Sequence, residues 1–558
     1  MTTSVRNKAE ELETFSRRFA KKWKNYFSID GLIPGIEPTN QQKQVVQSNE
    51  KQLIIRGSAG SGKSLMLAYR LIKVMEQSNK PQRILYVTFN ETLIQDTVKR
   101  LCQSETYNKL KEKHHVDIRT YHDLVRSILM KECGYPEMKR IRMTKERVAA
   151  HESLIDARLE AVLAGFEQSE EYEQMEKLFK THTAQFLREE FFWMKANGLI
   201  TKEKYFEKER TGRGNSPSVN RKQRPTIFYL FELYNAFMLT NFQVPQYDME
   251  DYALLLLNEL NNRPNAPFQY DHIFVDEFQD LQPMQIKSLV ELTNNSITLV
   301  GDDKQRIYKR TPVSYRELNL QITARKNQKL SKNFRSTKQI MNLASSLQFD
   351  DVENVREDDQ DFFREGDPPN IMHYKKNDTM FQALVKRIKA IHETHKEKTI
   401  AVIHRYTKNE LNQEDSLLSK LHREFHVIDV DQYGKKFDYN KRKKPIFFTD
   451  PFEIKGLEFD YVFILHFDRE HYPSQQRIEE LNDKYGGAKT FDKNYENDYD
   501  AILNDEKKLL YVACSRARHE LNIFYVAPKQ LRISPFVRDF RSKDYKSNFG
   551  KRKYSDKK

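Results

Sequence analysis

Short apolar runs recur along the chain, separated by stretches whose apolar residues fall three or four apart. The runs are QLIIRG (52–57), RILYVTF (83–89), HIFVDE (272–277), SITLVGD (296–302), TIAVIH (399–404), PIFFTD (445–450), YVFILHF (461–467) and LNIFYV (521–526). Each is short and rich in Ile, Val, Leu and Phe, the pattern of a strand buried on both faces. Strands alternating with helices predict parallel α/β sheets. The runs form two groups, up to residue 302 and after 399, which predicts two such domains. Residues 126–265 lack strand spacing and carry helix formers with apolar positions three or four apart, as in ERVAAHESLIDARLEAVLAGF. They read as a helical insertion, with the basic RTGRGNSPSVNRKQRP as an exposed loop within it. Residues 350–369 read as an acidic connector, and no internal repeat is evident.

At roughly 150 residues per domain, 558 residues leave room for three or four domains. With 38% hydrophobic and 31% charged residues, the balance is that of a globular chain rather than a disordered one. The longest apolar runs, such as ALLLL at 253–257, fall far short of the roughly 18 residues needed to cross a bilayer. The first residues, MTTSVRNKAEELE, have no apolar stretch of the secretory kind. Cys102, Cys133 and Cys514 are far apart and suggest neither a disulfide framework nor a metal cluster, so a cytoplasmic setting is expected. The net charge of +14 is local: 541–558 carries +6, 1–27 carries +4 and 201–225 carries +5, leaving the rest at −1. Solvated tails and loops or contacts to phosphate both account for such stretches.

Residues 57–64, GSAGSGKS, follow one strand pattern and precede a helical one. This is the complete Walker A pattern in its strand–loop–helix setting. Glycines at 57, 60 and 62 permit turns that aim backbone N–H groups at phosphate, and the helix N-terminus adds partial positive charge. Lys63 would reach the β and γ phosphates, and Ser64 would ligate Mg²⁺. Gly57, Ser58, Ala59, Gly60, Ser61 and Gly62 complete the phosphate loop. In HIFVDEFQD (272–280) a strand ends at Asp276 and Glu277, where α/β sheets bind ligands. Asp276 would hold Mg²⁺, and Glu277 would orient or deprotonate the attacking water.

These residues resemble superfamily 1 helicases of the UvrD/Rep type, in order from about 38 to 525. PTNQQKQVV (38–46) is similar to the Q motif, VTFNETL (87–93) to motif Ia, RTYHDL (119–124) to TFHSL and DEFQD to DExQD. LVGDDKQRIYKR (299–310) resembles motif III, LSKNFRST (330–337) the QNYRST element and IAVIHRYT (400–407) motif IV. IKGLEFDYVFI (454–464) resembles motif V and LLYVACSRAR (509–518) motif VI.

The resemblance implies an α/β fold: two RecA-like parallel-sheet domains, with a 1B-like helical insertion in the first. The implied division is an N-terminal extension (1–37), a first RecA-like domain (38–125 and 266–329), the insertion (126–265), a second RecA-like domain (330–530) and a basic C-terminal tail (531–558). ATP and Mg²⁺ would sit between the two domains. By the resemblance Gln42 reads the adenine edge, Phe334 stacks on adenine and Glu458 contacts the ribose. Gln279 and Gln305 sense the γ-phosphate, and Arg335 and Arg516 reach it from the second domain. Thr88, Phe89, His122 and Tyr308 match positions that touch a single strand; Phe89 reads equally as a core residue.

The chain also departs from the family pattern. Arg310 stands where motif III usually has Trp and can stack on a base and hold phosphate, so it joins the expected DNA contacts; Leu65 stands where Arg often follows Walker A, and Phe452 where motif V has His. Between motifs IV and V the segment 408–448 is too short for the family's 2B domain. After Arg518 only 40 residues remain, too few for a nuclease domain. The resemblance thus implies an ATP-dependent motor on single-stranded DNA or a single-strand/duplex junction, moving 3′ to 5′. A motor or switch subunit serving a partner protein such as a nuclease, and action on RNA, stay open. No membrane partner is expected.

Overall fold

The computed structural model describes residues 32–33, 37–88, 91–138, 145–208, 210, 217, 219–305, 314–349, 362, 364–395, 398–428, 445–454, 456–484 and 493–550. The first sheet is built from β1 (Gln52–Gly57), β2 (Arg83–Thr88), β3 (His115–Thr120), β4 (Tyr270–Val275), β5 (Thr293–Gly301) and β6 (Asn327–Leu330), in the order β3-β2-β4-β5-β1-β6. The second contains β7 (Asn370–Tyr374), β8 (Ile400–Ile403), β9 (His426–Ile428), β10 (Pro445–Thr449), β11 (Phe459–Ile464), β12 (Ala517–Val526) and β13 (Lys546–Ser547), in the order β13-β7-β12-β11-β8-β10-β9. Neighbouring strands in both sheets pair in parallel, as the alternation of strand and helix patterns predicts.

Side-chain alternation on each strand feeds two cores, one per face. On β1, Ile54 joins a core with Leu85, Val275 and Leu299, whereas Leu53 and Ile55 join one with Met66 and Ile72 of the Lys63–Gln77 helix. On β8, Ala401 and Ile403 pack toward Val512 and Cys514, and Ile400 and Val402 toward Leu384 and Ile388. Each expected run is a strand. The strands that hydrophobic pattern did not signal, β3, β6, β7, β9 and β13, are short or sit at or next to sheet margins, where half their faces meet solvent and polar residues fit, as in HVDIRT and NQKL.

Between β3 and β4 the described chain is helical, from Tyr121–Glu132 to Asp251–Asn262. Its central part has its own aromatic core, with Phe186, Phe191, Tyr205, Phe228, Phe231 and Tyr234. Thr183 and Thr201 cap helices by accepting the N–H of Phe186 and Lys204, and Pro225 sits in the first turn of the Arg224–Thr240 helix. The Lys195 ammonium, 2% exposed, bridges Asp248 at 2.7 Å and Asp251 at 2.8 Å, which ties the insertion to the helix leading back into β4. A buried ammonium needs such partners, because alone its desolvation would be prohibitive.

Two expectations are corrected. Residues 531–550 do not form a tail. Phe536, Val537, Phe540, Tyr545 and Phe549 are buried in the second domain's core, and β13 pairs with β7. The Lys546 N–H donates to Pro369 O at 2.8 Å, and Asn548 exchanges bonds of 2.8 and 2.9 Å with the backbone of His373. The basic residues of this stretch lie between the aromatics, so charge counting concealed an apolar pattern. Nor is the expected loop 210–225 exposed throughout: the Arg210 side chain is buried against Glu190, and Gln223 and Arg224 are buried where the Arg224–Thr240 helix begins. Residues 211–216 and 218 of that loop, most of the acidic connector before 364, most of 1–37 and residues 429–444 and 551–558 lie outside the described residues.

Candidate active site

The phosphate loop leaves β1 at the C-terminal edge of the first sheet, next to β5. Gly60 and Gly62 adopt φ of +83° and +85°, a region that L side chains avoid. A Cβ at Gly60 would lie 2.4 Å from the Cβ of Arg335 and 2.7 Å from Asn333 Oδ1, so the segment entering the second domain touches this loop directly. Lys63 is 7% exposed, and its Nζ donates to the carbonyls of Gly57 and Ser58, both at 2.9 Å. Ser58, Ala59 and Ser61 are buried beside it, and Ser61 Oγ has no hydrogen-bond partner among the described residues. Gln42, on the Asn40–Gln47 helix, donates to Ser61 O at 3.2 Å and accepts the Thr39 N–H at 2.9 Å.

β4 delivers Asp276 and Glu277 to the same edge. Asp276 Oδ1 accepts the Glu277 N–H at 3.0 Å, Oδ2 accepts the Tyr86 hydroxyl at 3.0 Å, and Ser64 also hydrogen-bonds this carboxylate. Burial and then the adjacent Glu277 raise the pKa of Asp276; Ser64, Tyr86 and Lys63 oppose the rise. Glu277 has φ of +52°, costly for a non-glycine residue and a common mark of functional sites. Its carboxylate accepts from Gln279 Nε2. Gln279 Oε1 accepts the Asp302 N–H at 3.1 Å, and Asp302 Oδ2 accepts from Gln305 Nε2 at 2.7 Å. Gln305 Oε1 in turn accepts from Arg516 Nη2. One continuous chain of hydrogen bonds therefore runs from Glu277 in the first domain to Arg516 in the second.

Arg516 is 1% exposed and also donates to Val512 O at 3.0 Å and Leu457 O at 3.2 Å. Burial, then the nearby Arg335, lower its pKa to about 10, so it stays charged at neutral pH. Arg335 pairs with Glu458, which also takes Arg518 Nε at 2.9 Å. Burial alone would raise the pKa of Glu458, but Arg335 and Arg518 outweigh it and hold the carboxyl at about 2. Asn333 Nδ2 donates to Ala59 O at 2.6 Å while its Oδ1 accepts the Arg335 N–H at 2.9 Å. The Phe334 N–H donates to Gly60 O at 3.0 Å, and its ring faces the Lys332 ammonium at 5.8 Å.

The donor set suits a magnesium nucleotide. Positive-φ glycines shape a loop with no room for side chains, the helix N-terminus points into it, and Lys63 lies alongside. The Ser64 hydroxyl and Asp276 carboxylate, already hydrogen-bonded, are the hard oxygen donors that Mg²⁺ takes. Lys63, Ser64, Asp276, Glu277, Gln279, Gln305, Arg335, Glu458 and Arg516 thus share one cleft. The expected nucleic-acid residues are less gathered. Thr88 is buried at 1%, with Oγ1 unpartnered among the described residues. His122 sits against Tyr121 and Tyr252, hydrogen-bonds Gln285 at 3.3 Å, and burial drops its pKa to about 4. Phe89, Tyr308 and Arg310 lie outside the described residues. Sequence reasoning assigned no role to Tyr86, Asp302, Asn333 or Arg518. Asp302, Asn333 and Arg518 stand inside the matched motifs, and Tyr86 was read as one more apolar strand residue.

A phosphate-type loop and a buried carboxylate on one parallel sheet, completed by arginines from a second, define a protein of RecA-like architecture. Comparison with known proteins narrows the class. The family model for the UvrD/REP helicase N-terminal domain matches residues 38–312, and that for the UvrD-like helicase C-terminal domain matches 452–527. The chain belongs to the UvrD/Rep helicase family. It is 26% identical over 339 residues to a probable DNA helicase II homolog of Mycoplasma capricolum, covering 57% of this chain and 42% of that one. It is 23% identical over 427 residues to the ATP-dependent DNA helicase Rep of Buchnera aphidicola, covering 75% and 59%. It is 23% identical over 313 residues to the ATP-dependent DNA helicase srs2 of Schizosaccharomyces pombe, covering 55% and 34%. The matched stretch spans about half the length of these relatives. Among the described residues no helix is long and apolar enough to cross a membrane.

Proposed function

We propose that the chain is an ATP-driven translocase or helicase acting on single-stranded DNA or a single-strand/duplex junction, moving 3′ to 5′. The observation that carries this reading is the hydrogen-bonded path Glu277–Gln279–Asp302–Gln305–Arg516, which ties the catalytic carboxylate to the opposite sheet. Lys63 and the loop 57–62 hold the phosphates, and Ser64 and Asp276 hold Mg²⁺. Bound Mg²⁺ supplies charge neutralisation on the phosphoryl group. Glu277 orients or deprotonates water, while Arg516 and Arg335 stabilise the charge that spreads over the phosphate oxygens. Gln42 and Phe334 take the base and Glu458 the ribose. The working division is a first RecA-like domain (38–125 and 266–329), a 1B-like insertion (126–265) and a second RecA-like domain from 330, in a cytoplasmic protein. Thr88, Phe89, His122, Tyr308 and Arg310 are proposed to line the DNA track.

ATPase rate with and without single-stranded DNA tests this reading, with Lys63→Ala and Glu277→Gln as controls. The expectation is DNA stimulation in the wild type and at least about a hundredfold loss of turnover in both variants. A fluorescent duplex with a 3′ or 5′ overhang tests polarity, and preference for the 5′ tail overturns it. A second reading, a switch or motor subunit that needs a partner protein, is favoured by the segment 408–448, which is too short for a 2B domain. ATPase that ignores DNA, with unwinding only after a copurifying protein is added, would select it.

A further inference from the structure

Tyr86 lies on β2 beneath the nucleotide cleft and is fully buried. Its hydroxyl donates to Asp276 Oδ2 at 3.0 Å. The same hydroxyl accepts a hydrogen bond from the side chain of Thr97, on the helix Glu91–Cys102. That helix begins three residues beyond Thr88, where β2 ends at the proposed DNA track. Its first turn also meets the second domain: a Cβ at Gly456 would come within 3.2 Å of the Leu93 side chain. One helix therefore touches the second domain with Leu93 and, one turn on, reaches Asp276 through Thr97 and Tyr86.

Ile84, the other β2 residue in the core that holds Tyr86, is aliphatic, and a phenylalanine would fill the same volume as Tyr86. A buried hydroxyl is costly unless it is hydrogen-bonded, and here both of its bonding directions are used. The acceptor is a carboxylate, so the bond is of the stronger, charge-assisted kind. Together with the Glu277 N–H and Ser64, Tyr86 leaves Asp276 little freedom to rotate. We infer that Tyr86 is a positioning residue that aims the Asp276 carboxylate at the metal and, through Thr97, links it to the Glu91–Cys102 helix. Occupancy of the nucleotide site is thereby felt on the helix that meets both the DNA track and the second domain.

The inference rests on the proposed function and is tested by binding rather than turnover. Tyr86→Phe keeps the ring and removes the hydroxyl; Thr97→Val keeps the shape and removes the donor. A fluorescent ATP analogue is titrated with Mg²⁺ and with EDTA. A labelled oligo(dT) is then titrated with and without a non-hydrolysable magnesium nucleotide, and thermal unfolding of each variant checks its fold. Tyr86→Phe should weaken nucleotide binding about tenfold in Mg²⁺, the scale of one charge-assisted hydrogen bond, and leave binding in EDTA unchanged. Thr97→Val should leave nucleotide affinity within about twofold but shrink the nucleotide-induced change in DNA affinity at least about fivefold. Equal weakening of Tyr86→Phe with and without Mg²⁺, or coupling in Thr97→Val identical to wild type, overturns the inference. A wild type that binds no nucleotide sinks the proposed function itself, and this inference with it.

Discussion

Replacing Phe540 by Ala should destabilise the second domain strongly, although sequence charge places this residue at the start of a basic tail. Phe540 is 1% exposed. Its ring stacks on Phe467 at 5.9 Å and meets Tyr545 edge-on at 6.5 Å. Phe467 follows β11, at the centre of the second sheet, so the cavity would open against rigid neighbours that cannot collapse into it. Large-to-small changes of this kind cost about 3–5 kcal/mol, a fifth or more of the roughly 5–15 kcal/mol that holds a domain folded. An exposed tail residue would change stability by no more than about 0.5 kcal/mol. Lys543, exposed on the same stretch, supplies that control as Lys543→Ala. Urea unfolding of the full chain, followed by tyrosine and tryptophan fluorescence, gives both values. Removal of 541–558 keeps Phe540 but strips Tyr545, Phe549 and the hydrogen bonds of β13, so it should lower stability as well. A loss below about 1 kcal/mol for Phe540→Ala, or an unchanged midpoint after truncation, would show that the segment does not belong to the core.

Two further outcomes follow from the cleft. Gly60→Ala places a Cβ 2.4 Å from Arg335 Cβ at a φ of +83°, so the loop and the Asn333–Arg335 segment must separate; nucleotide affinity should fall more than about tenfold and stability by about 1–2 kcal/mol, and normal titration of a fluorescent ATP analogue would refute the contact. Glu458 has a folded pKa of about 2 against 4.5 unperturbed, so its contribution is fully present above pH 4.5 and is lost as pH falls toward 2. Its side chain is 22% exposed, and the contribution has a ceiling of about 3 kcal/mol. Urea midpoints between pH 5 and 3 should drop less steeply in Glu458→Gln than in the wild type, and parallel curves would show that the arginines do not hold the carboxylate.

Much of the fold can be read from the chain because buried parallel strands write themselves as apolar runs. QLIIRG, HIFVDE and YVFILHF need no context. HVDIRT and NQKL did not stand out, because strands at the sheet margins keep one side in water and carry ordinary polar residues. The phosphate loop and the two carboxylates are legible from spacing alone, since their chemistry requires fixed residue types in a fixed order. The partners that orient them are not. Tyr86 hydrogen-bonds Asp276 across 190 positions and Arg516 meets Gln305 across 211, and no local pattern reports such distances. The last folded stretch was misread for a different reason. Its aromatics are spaced irregularly among lysines and arginines, and they pack as single anchors on short 3₁₀ turns, which have no period to detect.

The contact between the sheets depends on a few residues of the connecting segment. Gln41 accepts the N–H of Ser331 at 3.1 Å, Asn333 clasps Ala59, and the Phe334 N–H reaches Gly60, all on the first domain. Only a few residues later the Ser336 hydroxyl donates to Ala517 O at 2.6 Å, in the second sheet. Movement of one sheet against the other must therefore be absorbed within about one turn of chain, and Arg335 lies inside it. In the proposed cycle Arg335 has to leave Glu458 for phosphate. An uncompensated buried carboxylate would cost several kcal/mol and oppose that exchange. Arg518 lowers the obstacle, because its Nε donates to Glu458 at 2.9 Å through a contact separate from that of Arg335. The carboxylate would then keep one cation when Arg335 leaves it, which lowers the cost of the proposed exchange.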